Sequence, residues 1–485
     1  MIYLALNNSI VIRLIVINLN KETEFRGREW EISELNKAYS KGAFEMVVIY
    51  GRRRVGKTSI IKEFCKDKKT IFFPSVQSSI GDNLEILAKG ISTAFKDDMP
   101  AIPPFKRFSD ALDFIAAKGD ERIVFVIDEY PYLANADPSV SSTLQHMIDH
   151  VLRYTKIMMI LCGSSMSFME YQVLGYNSPL FGRRTQQYKV LPFNYYESGK
   201  WFPEYSNEDK AIAYSATGGI PAYLAKMTSS VSIGKNIENT FFEMNSFLFE
   251  EPSNLLKQEL REPAVYNSII TAIADGASKL SDISNKTKEA ANKCLLYIDR
   301  LISLGIIAKE TPITEKESAR KTIYRIVDGM FRFWFKFVRE NLAEIHLHGS
   351  EGLYDDNIKP KINQFMGLTF EDMSKEYIFR NYRKIGFKIG RIGKWWGGDP
   401  KTKKQEEIDI VAVSPQEDRW MFCECKYTTE KVGFDVLEDL KRRSELVTGN
   451  KDKLFFLFSK SGFTDSLVQQ RPDNVRLVTL DDMYA

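Results

Sequence analysis

The chain has 485 residues, too many for one hydrophobic core and suited to about three domains. Its 44% hydrophobic and 27% charged residues are those of an ordinary globular protein, which excludes a disordered chain. A net charge of +3 excludes a global basic field for nucleic acid and leaves only local patches, while five scattered cysteines without a CxxC pair exclude a disulfide framework or zinc site and suit a cytoplasmic protein.

Residues 1–24 are apolar but interrupted by Asn7, Asn8 and Arg13. They fall short of the about 20 continuous apolar residues of a spanning helix and lack a small-residue cleavage site. They are expected to be an extra strand or residues upstream of the true start, with no membrane association. From residue 25 to 193, helical patterns alternate with apolar runs at 45–50, 70–76, 122–129 and 157–165. That alternation predicts a parallel sheet covered on both faces.

"GRRRVGKTS" (51–59) follows the first run and opens a helix-like segment. This is the phosphate-loop pattern. Gly51 and Gly56 allow the tight turn, and the backbone from Arg52, Arg53, Arg54 and Val55 through Ser59 cradles phosphates. Lys57 reaches the β- and γ-phosphates of ATP, and Thr58 ligates Mg²⁺. The run "IVFVIDEY" ends in Asp128, expected to hold Mg²⁺ through water, and Glu129, expected to activate the attacking water. The strand ending "CGSS" leaves Ser164 or Ser165 to sense the γ-phosphate.

Residues 194–255 read as helical, and 256–345 as three helices followed by two short strands, the order of a winged helix with its linker. Lys286, Lys288, Lys293 and Arg300, with Arg320 and Lys321 near the wing, suit DNA phosphates; the module equally suits protein packing. The aromatic run 331–338 is expected in a core. His146 and His150 lack the glutamate of a zincin, so no metal is assigned there.

The last segment, 346–485, contains the hairpin "EEIDIVAVSPQEDRWMFCECKY" (406–427). Asp409 and Glu424-x-Lys426 have the form of a PD-(D/E)xK nuclease site. There Asp409, Glu424 and an upstream helical Glu371 ligate Mg²⁺ or Mn²⁺ while Lys426 activates water. Alternation puts Glu424 and Lys426 on one face and Cys425 on the other. "GKWWGGDPKTKK" (393–404) is expected as a basic, glycine-rich loop, either along a nucleic-acid backbone or solvated.

Together, "FRGREWEISEL", "GRRRVGKT", "VIDEY", "CGSSMSFM", "SPLFGRRT" and "TGGIPAYL" resemble the archaeal-type ATPase family in the STAND/AAA+-like branch of P-loop NTPases. The stretch around the C-terminal hairpin resembles the DUF234-type nuclease-like domain that follows this ATPase. The resemblance implies an adenine-side contact from Phe25, Gly27 and Arg28. It also implies a helical lid bringing Gly219 and Pro221 to the nucleotide, and Arg183 or Arg184 as the arginine facing the phosphates. The fold class implied is α/β: a P-loop parallel-sheet core with a helical lid, a winged-helix middle domain and a restriction-endonuclease-like C-terminal domain. The expected function is an ATPase coupled to a metal-dependent nuclease, with DNA as partner and self-association possible in principle. The alternative is a STAND-like nucleotide switch whose C-terminal domain only binds.

Overall fold

The computed structural model describes residues 25–96, 104–316, 321–449 and 451–485. The N-terminal lead 1–24 and Arg320 therefore lie outside the described residues. The chain divides into two compact units, one ending at Leu191 and one beginning at Pro192.

In the first unit, helix α1 (Glu29–Ser40) precedes strand β1 (Glu45–Tyr50), the phosphate loop and helix α2 (Lys57–Cys65). Strands β2 (Thr70–Pro74), β3 (Val124–Asp128), β4 (Met158–Gly163) and β5 (Gln186–Lys189) complete a parallel sheet of order β2-β3-β4-β1-β5. Strands β1, β3 and β4 are buried at every position, as runs sandwiched between two helical layers must be. Alternate residues feed two cores: Met46, Val48, Phe125 and Met159 face one layer, Val47, Ile49, Val126 and Ile160 the other. Strand β5 ("QQYK") was not among the expected runs. It is an edge strand, half solvated and polar, so it carries no apolar signature.

The second unit opens with a series of helices and continues with α3 (Pro263–Ala274), α4 (Leu280–Thr287) and α5 (Ala291–Ser303), then the antiparallel hairpin β6 (Ile307–Glu310)–β7 (Ile323–Ile326). Phe331, Phe333, Phe335 and Phe337 are all buried, so the aromatic run is core. A 27-residue helix, α6 (Lys359–Ile385), leads into a mixed sheet of order β12-β11-β10-β9-β8. Its strands are β8 (Arg391–Gly398), β9 (Gln405–Val413), β10 (Arg419–Lys426), β11 (Asp452–Ser459) and β12 (Val475–Thr479), with helix α7 (Phe434–Val447) between β10 and β11. Trp420 and Phe422 pack with Leu437 and Leu440 of α7, and Met421 and Cys423 face the opposite core.

The expected basic loop 393–404 is corrected in its first half. Residues through Gly398 form edge strand β8, Trp395 is buried against Ile408, and only the turn from Asp399 to Lys404 remains loop. Trp395 supplies enough apolar burial to hold a strand that its glycines weaken. Helix α6 is also fastened to the start of the second unit. The buried carboxylate of Glu376 accepts from the Tyr195 N–H at 3.1 Å and from the Tyr214 hydroxyl at 3.0 Å.

Candidate functional site

The first unit gathers its polar side chains at the C-terminal ends of β1, β3 and β4. Gly51 leaves β1 where a Cβ would drive into the Val190 carbonyl oxygen, so only glycine fits. Gly56, at φ 90°, turns the loop into the N-terminus of α2. Val55 is fully buried, and its carbonyl accepts from Arg28 at 3.1 Å. Lys57 donates to the carbonyls of Gly51 and Arg52 at 2.9 and 3.0 Å. Burial pushes its ammonium below the ordinary lysine value, opposed by Cys162, Glu129 and Asp128.

Thr58, the second residue of α2, donates its hydroxyl to Asp128 Oδ2 at 2.8 Å. Asp128 also accepts from the Glu129 N–H at 3.1 Å through Oδ1. Glu129 sits in the left-handed region at φ 53°, ψ 44°, a conformation a non-glycine residue adopts at a cost of order 1 kcal/mol. Two groups hold it there. Ser164, at the end of β4, donates from both its N–H and its hydroxyl to Glu129 Oε2 at 3.1 and 2.9 Å. Ser75, at the end of β2, donates its hydroxyl to the carbonyls of Asp128 and Glu129 at 2.9 and 2.6 Å. Ser164 thus lies beside the acid expected to activate water, while Ser75 carried no sequence signal because β2 meets β3 only in the fold.

The remaining candidates are distributed differently. Arg28 is buried and in the left-handed region; it reaches Leu191 O at 2.7 Å and Glu31 at 2.9 Å, fastening the segment that also holds Gly27 and Phe25 to the phosphate loop. Phe25 packs on the core beneath α2. Arg53 donates to the Tyr132 hydroxyl at 3.0 Å. Arg54 takes a left-handed turn at φ 73°. Arg183 forks onto Asp149 at 2.9 and 2.6 Å and also donates to the carbonyls of Pro179 and Phe181 in its own loop, so its guanidinium is already engaged. Arg184 lines a separate surface cavity with Phe181 and Gln187. Gly219 and Pro221 belong to the second unit. There Gly219, at φ 68°, presses against the Phe193 carbonyl, a local reason for glycine.

The second unit carries the carboxylates. Between the Gly393–Val411 and Trp395–Ile408 pairs, one residue of β8, Lys394, faces two of β9, Asp409 and Ile410. This bulge re-aims Asp409, so Ile408 and Val411 share a core face while Ile410 faces the other. Asp409 Oδ2 accepts from the Cys425 N–H at 2.8 Å, which joins β9 to β10 at the site. Burial, then the carboxylates of Glu424 and Glu371, push Asp409 up to about 8.

Glu424 and Lys426 share a face as alternation requires and pair at 2.8 Å. The other oxygen of Glu424 meets the buried Arg443 of α7 at 3.0 Å. Glu371 lies on α6, as expected, but its carboxylate pairs with Lys394. No group of three or more His, Cys, Asp or Glu among the described residues is placed to hold a metal ion. The sequence did not reveal Lys394 and Arg443, because cations in "GKWW" and "LKRRSEL" look like solvated residues.

A family model described as an ATPase domain predominantly from Archaea matches residues 25–227, and one described as archaeal and bacterial proteins of unknown function (DUF234) matches 334–438. An uncharacterized protein of Methanocaldococcus jannaschii is 33% identical over 429 residues, 87% of this chain and 92% of that one. The chain belongs to this family of archaeal ATPases. An uncharacterized ATP-binding protein of the same organism is 40% identical over 53 residues, 11% of this chain and 75% of its own. The Walker-type ATPase of Pyrococcus abyssi shares the fold, with a TM-score of 0.51 at 18% identity over 65% of this chain and 97% of that one. No helix among the described residues of this family member is long and apolar enough to cross a membrane.

Proposed function

We propose that the chain binds and hydrolyses ATP at its phosphate loop and that this turnover governs a metal-dependent DNA nuclease site in its C-terminal domain. One observation carries the first half: Thr58 and Asp128 meet at 2.8 Å while Ser164 holds the adjacent Glu129. Hydroxyl and carboxylate oxygens are the donors Mg²⁺ takes, so these residues fit the cation, which when bound neutralises phosphate charge. Gly51 through Ser59 present N–H groups to the phosphates, and Lys57 exchanges its loop carbonyls for phosphate oxygens. Glu129 accepts the proton of the attacking water, and Ser164 keeps its carboxylate aimed. Phosphate release from ATP by the full chain with Mg²⁺ tests this. Lys57→Ala is expected to bring release to background; equal rates in the two proteins would defeat the assignment.

For the second half, the donors are all carboxylate oxygens, the set Mg²⁺ or Mn²⁺ takes, and a divalent cation relieves the repulsion that Asp409 feels from Glu424 and Glu371. Asp409 and Glu424 are the pair on adjacent strands that would hold it and so polarise a phosphodiester. Glu371, drawn to Lys394, is the weaker candidate as a ligand. Lys426, released from Glu424, would orient the attacking water.

A specific observation favours a second reading, a nucleotide switch whose C-terminal domain only binds: Lys394, Lys426 and Arg443 already neutralise Glu371 and Glu424 without a metal. In that case the oligomeric state changes between ADP and a non-hydrolysable ATP analogue, and no DNA is cut.

A further inference from the structure

The β6–β7 hairpin, expected as a wing, is fastened to the C-terminal sheet. Ile313, just after β6, donates its N–H to Lys394 O at 2.9 Å and buries its side chain beside Trp395 and Ile408, while Arg391 donates back to Ile313 O at 3.1 Å. From β7, Arg325 forks onto Asp372 of α6 at 2.7 and 3.2 Å and also pairs with Glu310 at 2.6 Å. The hairpin is thereby tied to the helix that carries Glu371 and to the strand that carries Lys394.

These elements enclose a cavity of about 250 Å³. Lys309 and Arg325 of the hairpin, Glu371 and Lys375 of α6, and Lys394 and Asp409 of the sheet line it. We propose that this cavity holds one backbone phosphate of a nucleic-acid strand, with Lys375 as its direct contact and Lys394 as a positioning residue that keeps Glu371 beside Asp409. The inference rests on the nucleic-acid reading of the C-terminal domain and adds to it the residues that hold the strand.

Three features support it. The volume falls below the about 300–1,000 Å³ of pockets for drug-sized ligands, so the cavity suits one compact charged group rather than a base pair. Two of its other cations are committed: Arg325 to Asp372 and Glu310, and Lys394 to Glu371. Lys375, one helical turn beyond Glu371, lines the same space, and none of the ion pairs among the described residues includes it. A phosphate entering beside Asp409 needs such a cation to offset the carboxylate. The bulge at Asp409 and Ile410 faces Lys394, which places this β8 cation at the point where the carboxylate leaves the ladder.

The test is the binding of a short labelled oligonucleotide to the full chain in EDTA across a salt series, with inorganic phosphate as a second probe. Lys375→Ala is expected to weaken oligonucleotide binding about fivefold to tenfold and to lower the salt slope by about 1, with ATP hydrolysis unchanged and Lys375→Arg restoring both. Unchanged affinity and slope, a loss of affinity without a change of slope, or binding of inorganic phosphate without the oligonucleotide would each overturn the proposal. The outcome is separable from nuclease activity. A Lys375-dependent slope in a protein that cuts no DNA sinks the nuclease and keeps the cavity, whereas cutting by a Lys375→Ala protein of unchanged affinity does the reverse.

Discussion

Glu129→Gln should lower the rate of ATP hydrolysis by about 10²–10⁴-fold while leaving nucleotide binding intact. The substitution keeps the size of the side chain and its contact with Ser164 and removes only the ability to take a proton. The residues proposed to bind phosphate lie on a different segment, the loop before α2, so affinity is set apart from turnover. Rapid-quench turnover beside equilibrium binding of a fluorescent ATP analogue separates the two quantities. A proportionate fall in affinity would assign Glu129 to binding instead. The left-handed backbone at Glu129 adds to the case, because a strained non-glycine residue held by Ser75 and Ser164 persists only where its surroundings over-determine it.

The second large effect concerns pH. Burial, helped by Asp372 and Glu197 and opposed by hydrogen bonds from Tyr195 and Tyr214, pushes Glu376 from its ordinary 4.5 up to about 7. The folded state therefore holds this proton more tightly than the unfolded chain. Its contribution to stability is full below about 4.5, is lost as pH rises toward about 7, and changes no further above that. The gap between 4.5 and about 7, at about 1.4 kcal/mol for each pH unit, is a loss of about 3 kcal/mol across that window. Glu376→Gln keeps an acceptor for the Tyr195 N–H and cannot ionise. Its advantage over the natural protein should therefore grow from pH 5 to pH 8, read as a Tm difference that widens by several degrees. A difference independent of pH would show that Glu376 does not titrate in this range.

The parts legible in the sequence were those where burial writes a pattern. Strands β1, β3 and β4 are buried at every position because helices cover both faces, and in "GRRRVGKTS" Gly51 meets the Val190 carbonyl where only glycine fits while Gly56 takes a left-handed turn. The shared face of Glu424 and Lys426 followed from period-two alternation; their ion pair did not. What could not be read depends on neighbours distant in the chain. Strand β5 is polar because it is an edge; β8 looked like a loop because Gly393, Gly397 and Gly398 outweigh one inward Trp395. The bulge that turns Asp409 exists only in the register between β8 and β9. Arg183 sits in a motif that suggested phosphate, but its partner Asp149 lies 34 residues away.

The most direct measurement is cleavage of supercoiled DNA by the full chain with Mn²⁺, with and without ATP, beside Asp409→Asn and Lys426→Ala. Nicking or linearisation that depends on ATP and vanishes in both variants is the predicted result. Intact DNA alongside measurable ATP hydrolysis, or cleavage that survives both substitutions, would contradict the account and leave the C-terminal carboxylates as a binding face.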